Sequence, residues 1–257
     1  MRVSPFFVTC GVFSILILAF ISFPLAKMIL APPLSSLILA LRDGEVREAI
    51  ALSLYTALWA SAISFLFGTP LAYILARREF RGKRFIESLV DVPIVIPHPV
   101  IGIAILSAVG QGTVMGEVLR SLGVKIVGTA TGIVTVLTFV GAPFYINAVK
   151  NAFEMVPVRL ERVARTLGAS ELKTFLLITF PLSTRSVLSG LLMCSARAIS
   201  EFGAVVVVAY HPMTAPVLIY ERFESFGLRY SQPVAVLLIM ISLSIFIALR
   251  VITSSRR

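Results

Sequence analysis

A chain of 257 residues with 58% hydrophobic and 14% charged residues and a mean hydropathy of +0.96 has too little polar surface to cover a soluble globule. Soluble enzymes and soluble binding domains are therefore excluded. The net charge of +10 would suggest nucleic acid in a water-soluble protein, but here the basic residues gather between apolar runs, which makes them a topology signal and argues against a nucleic-acid partner.

A hydrocarbon core about 30 Å thick needs about 20 apolar residues per helix. Six stretches meet that length, at residues 5–29, 49–76, 89–110, 128–149, 185–209 and 233–252. The expected fold is therefore all-α, a single membrane domain with six transmembrane helices. The first stretch exceeds the 7 to 15 residues of a signal-peptide core and lacks an Ala-x-Ala site, so it is read as a retained helix. With the N-terminus inside, fifteen of the 23 Lys and Arg residues fall on the inner side, seven on the outer side, and Arg197 alone lies within a span. This asymmetry predicts a multi-pass cell-membrane protein with both termini in the cytoplasm. Cys10 and Cys194 fall inside spans without metal-type spacing and read as small packing residues.

After the second span, Arg77, Arg78, Arg81, Lys83 and Arg84 form a run suited to the inner surface and to anionic lipid headgroups. In the third, Pro93, Pro97 and Pro99 remove backbone donors, so a straight helix is not expected, and the irregular segment should face protein or a wet cavity. Asp91 and His98 flank it. Asp91 is expected to pair with a basic residue of the neighbouring loop, and His98 to act as a hydrogen-bonded packing group. No second His or Cys stands near enough to suggest a metal site.

The inner connection at 150–184 carries most of the polar information. Pro157 suits a first helical turn and Gly168 a helix stop. Between them Leu160, Val163, Ala164 and Leu167 recur at i, i+3, i+4 and i+7, with Arg159, Glu161, Arg162 and Arg165 on the other face. Ser170 is placed to cap a second helix running to Pro181, where the chain is expected to turn into the fifth span. A basic amphipathic helix of this kind either lies among lipid headgroups or docks into a groove on a cytoplasmic partner. In the fifth span Arg197 falls near mid-depth with Glu201 at i+4. Charges at that depth need a partner or water, so the two form either a self-neutralising pair or a station on a translocation pathway with Pro97, His98 and Asp91.

Gly168, Ile178 and Pro181 resemble in register the EAA loop of ABC importer permeases: Glu-Ala-Ala, three residues, Gly, nine residues, Ile, one residue, Leu-Pro. Arg162 and Val163 replace the initial Glu-Ala, Glu161 stands one position earlier, and Phe180 replaces Leu. The segments from Gly68 to Tyr73, Phe80 to Lys83, Asp91 to His98 and Ala196 to Ala204 are similar to the molybdate, tungstate and sulfate branch of that family. The resemblance implies a type I, MetI-like fold and an oxyanion cargo, most plainly molybdate or tungstate, with sulfate as runner-up. It also implies a homodimer of permease chains, two ABC ATPase subunits and an extracytoplasmic oxyanion-binding protein. Residues 159–168 would then couple to the ATPase, breaking the tie in favour of docking. The chain holds no phosphate loop, so ATP and Mg would sit on the partner, no cofactor would sit on this chain, and it would not itself be the enzyme. A secondary transporter is the remaining rival.

Overall fold

The computed structural model describes residues 5–254. Arg2, Arg256 and Arg257, which enter the charge reading, lie outside the described residues. The elements in chain order are α1 (Pro5–Leu30), α2 (Leu34–Arg42), α3 (Gly44–Arg77), α4 (Lys83–Val95), α5 (His98–Val109), α6 (Val114–Ser121) and α7 (Ala130–Met155). They continue with α8 (Val158–Thr166), α9 (Glu171–Thr174), a π-helical turn (Phe175–Thr179), α10 (Phe180–Ile199), α11 (Gly203–Val208), α12 (Ala215–Phe226) and α13 (Leu228–Ser254). Among the described residues five helices are long and apolar enough to cross a membrane, and the bent pair α4–α5 brings the number to six when counted as one broken span.

The centre is built from α3, α7 and α10, with α7 packed against both neighbours. Hydroxyls stitch this seam: Ser61 Oγ lies 2.7 Å from Ser195 Oγ and Thr69 Oγ1 lies 2.6 Å from Tyr145 OH. Ser61, Ser64 and Thr69 also donate to carbonyls one turn back, so few polar groups face hydrocarbon unpaired. Cys194 is buried in this seam, as its packing role requires, whereas Cys10 is exposed on α1. Helix α1 stands outside the bundle against α13, and its apolar side chains are exposed along its length. That pattern suits a helix whose solvent is lipid.

The third span is broken where the prolines demand it. Helix α4 runs through Pro93, ends at Val95, and α5 restarts at His98 with an axis turned by 116°. Ile96 and His98 each precede a proline, and the ring of the following residue disfavours helical backbone at such positions. Ile96 is accordingly extended, at φ −73° and ψ 139°.

The structure moves the fifth span. Its helix begins at Glu171 and runs without a break through the π turn to Ile199, in place of 185–209, and 203–208 is the separate short helix α11. The inner connection is therefore shorter than 150–184, because α7 also extends to Met155. The chain does not turn at Pro181. A proline inside an α-helix crowds the carbonyl four residues back, but here the turn just before it is widened, and Phe180 N–H bonds Phe175 O, five residues back. The π turn lets the helix pass its proline.

Helices α2, α6 and α12 occupy connections between the predicted spans. Asp43 caps α3 by accepting from Glu45 N–H at 3.0 Å and also accepts from Arg222 of α12 at 2.7 Å, while Glu45 accepts from the same guanidinium at 3.0 Å. The Arg222 hydrogen bond holds the Asp43 carboxyl below its ordinary range. This ion cluster fastens α12 to the α2–α3 corner, at the end of α3 opposite Arg77.

Candidate functional site

Two polar constructions stand out, one at each side of the bundle's interior. The first surrounds α8. Pro157 caps its start in extended backbone, and its end is a Schellman turn in which Gly168 N–H bonds Arg165 O and Ala169 N–H bonds Ala164 O. Gly168 adopts φ +91°, the left-handed region that glycine enters without a Cβ penalty. Ser170 then caps α9, accepting from Lys173 N–H.

The faces of α8 are reversed from those of an ordinary amphipathic helix. Leu160, Val163 and Leu167 are 44%, 51% and 82% exposed, whereas Glu161 is only 7% exposed. Glu161 does not share the outward polar face with Arg159, Arg162 and Arg165, as its helical position suggested. Its Oε1 accepts from Arg77 Nε at 2.9 Å and from Thr179 Oγ1 at 2.6 Å, and Arg77 Nη2 lies 2.8 Å away. A buried carboxylate is tolerable only when paired and hydrogen-bonded, and these partners meet that need. The same guanidinium donates to Val156 O at 3.1 Å. One carboxylate thus joins α8, the end of α3, the end of α7 and the π turn. Arg77, counted among headgroup-facing charges in the sequence, is instead buried in this ion pair.

The second construction lies at the α4–α5 break. His98 starts α5 and Arg197 lies in the last turn of α10, not at the middle of a span as the 185–209 boundary implied. Arg197 Nη2 donates to Glu201 Oε2 at 2.6 Å and to His98 Nε2, also at 2.6 Å. Glu201 has a fully buried side chain, and its Oε1 accepts Ala204 N–H at 2.8 Å, capping α11. The cation thus meets a helix C-terminus and the anion a helix N-terminus, each favoured by the backbone dipoles. Helix α11 packs on α5 across Gly102, where an added Cβ would fall 2.7 Å from Val207 Cβ and 2.8 Å from Ala204 O. Within the cluster the charges of Arg197 and Glu201 offset each other.

Residues 68–255 match the family described as "Binding-protein-dependent transport system inner membrane component". The chain belongs to that family. This inner membrane component is 46% identical over 236 residues, 91% of its own length and 90% of the relative's, to the "Molybdate/tungstate transport system permease protein WtpB" of Pyrococcus furiosus. It is 32% identical over 80% of its length and 76% of the relative's to the "Probable sulfate transport system permease protein cysT" of Chlorokybus atmophyticus. Its fold resembles that in the crystal structure of a bacterial ABC transporter involved in import of the acidic polysaccharide alginate, with a TM-score of 0.73 at 15% identity, covering 98% of this chain and 96% of that one. The permease is thus a multi-pass membrane transport subunit with the MetI-like fold.

Of the candidate pathway residues, the fold of this inner membrane component brings Pro97, His98, Arg197 and Glu201 together and leaves Asp91 apart. Asp91 accepts from Asn147 Nδ2 of α7 at 2.7 Å, so its partner is an amide of a distant span and not a basic residue of the adjoining loop. Lys150 meets Glu87 nearby. Arg77, Thr179 and Asn147 were not legible as site residues, because each is ordinary in its own segment and acquires its partner only across the bundle.

Proposed function

We propose that this chain is the permease of an ATP-driven importer for a tetrahedral oxyanion, molybdate or tungstate, and that it works as a homodimer with two ABC ATPase subunits and an extracytoplasmic binding protein. The likeness to the Pyrococcus furiosus permease over nine-tenths of both chains carries the cargo assignment. ATP and Mg are bound by the partner ATPase, and this chain supplies the path without hydrolysing nucleotide. The positive-inside bias supports both termini on the cytoplasmic side, which puts Arg77, α8 and Glu171 inside and Asp43, Arg222 and α12 outside.

The exposed stripe of Leu160, Val163 and Leu167, ringed by Arg159, Arg162 and Arg165, is the face offered to the ATPase, and Ala164 and Gly168 shape it. Such an anchor buries apolar area in a groove of its partner. Along the path, His98 and Arg197 line the break beside Pro97. Arg197 is neutralised by Glu201 at rest and meets the anion only when that pair opens, which keeps cargo binding weak enough for release.

The test is reconstitution of the permease, its ATPase and its binding protein in proteoliposomes. ATP-dependent uptake of molybdate and tungstate, with two permease copies per complex, is the expected result. Sulfate is the second reading, favoured by the likeness to a sulfate permease, and preferential sulfate uptake would establish it instead. Uptake that persists without any ATPase would refute the importer reading in favour of a secondary transporter.

A further inference from the structure

The helical periodicity of α8 puts Glu161 on the outward polar face with Arg159, Arg162 and Arg165. Here Glu161 points the other way, with three independent consequences of geometry. Its carboxylate is buried, while α8 side chains around it are exposed. Its partners come from both elements that flank the coupling connection in space: Arg77 closes α3, and Thr179 closes the π turn. Arg77 extends the joint to Val156 at the foot of α7. The ends of α3 and α7 and the π turn that leads into α10 thus meet around this ion pair, and α3, α7 and α10 form the centre of the bundle.

The π turn adds a mechanical feature. Its wide hydrogen-bond ring is the one departure from α geometry along the 29 residues from Glu171 to Ile199, and such turns mark places where a helix can repack. Thr179 is its last residue, is fully buried, and donates to Glu161 at 2.6 Å. Around it Tyr73, Phe153 and Phe175 pack edge to face, with Phe180 tilted against Phe175, so the π turn is gripped by rings from α3 and α7 on one side and by the carboxylate on the other.

We infer that Glu161 is the internal joint of the coupling helix: a positioning residue that touches no partner and transmits displacement of α8 to α3 and to the π turn of the fifth span through Arg77 and Thr179. The outer apolar stripe receives the ATPase, and Glu161 passes the movement inward. Without the joint, α8 would still dock but would shift against the bundle without carrying it, since a rigid-body transition needs a stiff connection between the moved element and the spans. This inference rests on the importer reading, and it separates two jobs that one short helix performs with opposite faces.

The experiment uses the reconstituted complex with Glu161→Gln and, as a milder change that keeps the ion pair, Thr179→Val. Molybdate taken up per ATP hydrolysed is expected to fall about tenfold in the first and about threefold in the second, with the ATPase still co-purifying. A stability role alone would lower the amount of complex and leave that ratio unchanged. A second readout is independent of cargo: spin labels at Thr166 and Glu79, in a background with Cys10 replaced by Ser, should give a narrow distance distribution in the parent. With Glu161→Gln that distribution is expected to broaden at least twofold. Unchanged uptake per ATP together with an unchanged distribution in both variants overturns the joint. Loss of ATPase co-purification from a folded Glu161→Gln chain also overturns it, because Glu161 would then belong to the docking face. If the parent complex takes up no anion, the importer reading fails, and the spin-label distances still decide whether Glu161 holds α8 to α3.

Discussion

Gly102→Ala isolates what close packing contributes at the α4–α5 break. In a helix interior with free space around it, replacing Gly by Ala stabilises by about 0.5–1 kcal/mol, because Ala has less backbone entropy to lose. At position 102 the new Cβ would stand 2.7 Å from Val207 Cβ and 2.8 Å from Ala204 O. Ordinary van der Waals contact begins near about 3.5 Å, so α11 must retreat by several tenths of an ångström, and one of the two obstacles is backbone that cannot rotate away. Overpacking of this kind costs about 1–3 kcal/mol, which outweighs the propensity gain and reverses the sign. By the scaling for chains of this size, the net loss of about 0.5–2 kcal/mol left after subtracting that gain lowers Tm by roughly 1–8 °C. Gly11→Ala is the control, since nothing lies within 4 Å of its added Cβ, and it should be neutral or slightly stabilising. Thermal unfolding of the purified protein in detergent, followed by circular dichroism, measures both. Val207→Ala should not rescue Gly102→Ala, because the Cβ of residue 207 and the Ala204 carbonyl both remain. A Gly102→Ala protein as stable as the control would show that α5 and α11 are not packed backbone to backbone.

Other perturbations test the ion clusters and the docking face. Arg197→Met takes the guanidinium from the buried Glu201 carboxylate and leaves it Ala204 N–H and the His98 ring at 3.6 Å, so stability should drop by about 3–5 kcal/mol and recover largely on adding Glu201→Gln; equal Tm values for the single variant and the parent would sink this reading. Asp43 has its pKa lowered by Arg222, so its ion pair stabilises the fold above the unfolded carboxyl's pKa and is lost as pH falls through the lowered value. Melting curves of parent and Arg222→Gln should therefore differ at neutral pH and converge in strong acid; a gap that persists below the lowered pKa would contradict the assignment. Val163→Glu changes an exposed side chain and should leave stability within about 0.5 kcal/mol while abolishing co-purification of the ATPase, and retention of the ATPase would remove the stripe from the docking face. Gly168→Val puts a β-branched residue at φ +91° and should cost about 1–2 kcal/mol in backbone strain, measurable as a lower Tm and a frayed α8 in hydrogen exchange.

What was legible in the sequence follows from how local its causes are. Apolar length alone gave the membrane class and the all-helical fold, because each helix must satisfy its backbone internally wherever it lies in lipid. The break in the third span was visible in Pro97 and Pro99, since a proline acts on its immediate neighbours. The limits of α8 were visible in Pro157 and Gly168 for the same reason. The continuation of the fifth span through Pro181 was not, because only the widened turn upstream removes the clash that would otherwise end the helix.

Side-chain partners were hidden wherever they came from another span. The helical periodicity of 158–167 put Glu161 with Arg159, Arg162 and Arg165 opposite the leucines, whereas the fold turns Glu161 inward and leaves both the arginines and the apolar stripe exposed. Periodicity reports that a helix has two faces, but it contains nothing about which face meets the bundle. That choice was made by Arg77, more than eighty residues away, and by Thr179 across the intervening turn. Arg197 and Glu201 were readable as a pair through their i, i+4 spacing, yet His98 as the third member and Ala204 N–H as the cap required α10, α5 and α11 to converge. The sequence by itself determined a multi-pass membrane chain and the limits of the short helix α8. Tertiary structure alone decided which carboxylates are buried and what they hold, because the low dielectric that makes a buried charge demand a partner exists only after the helices have packed.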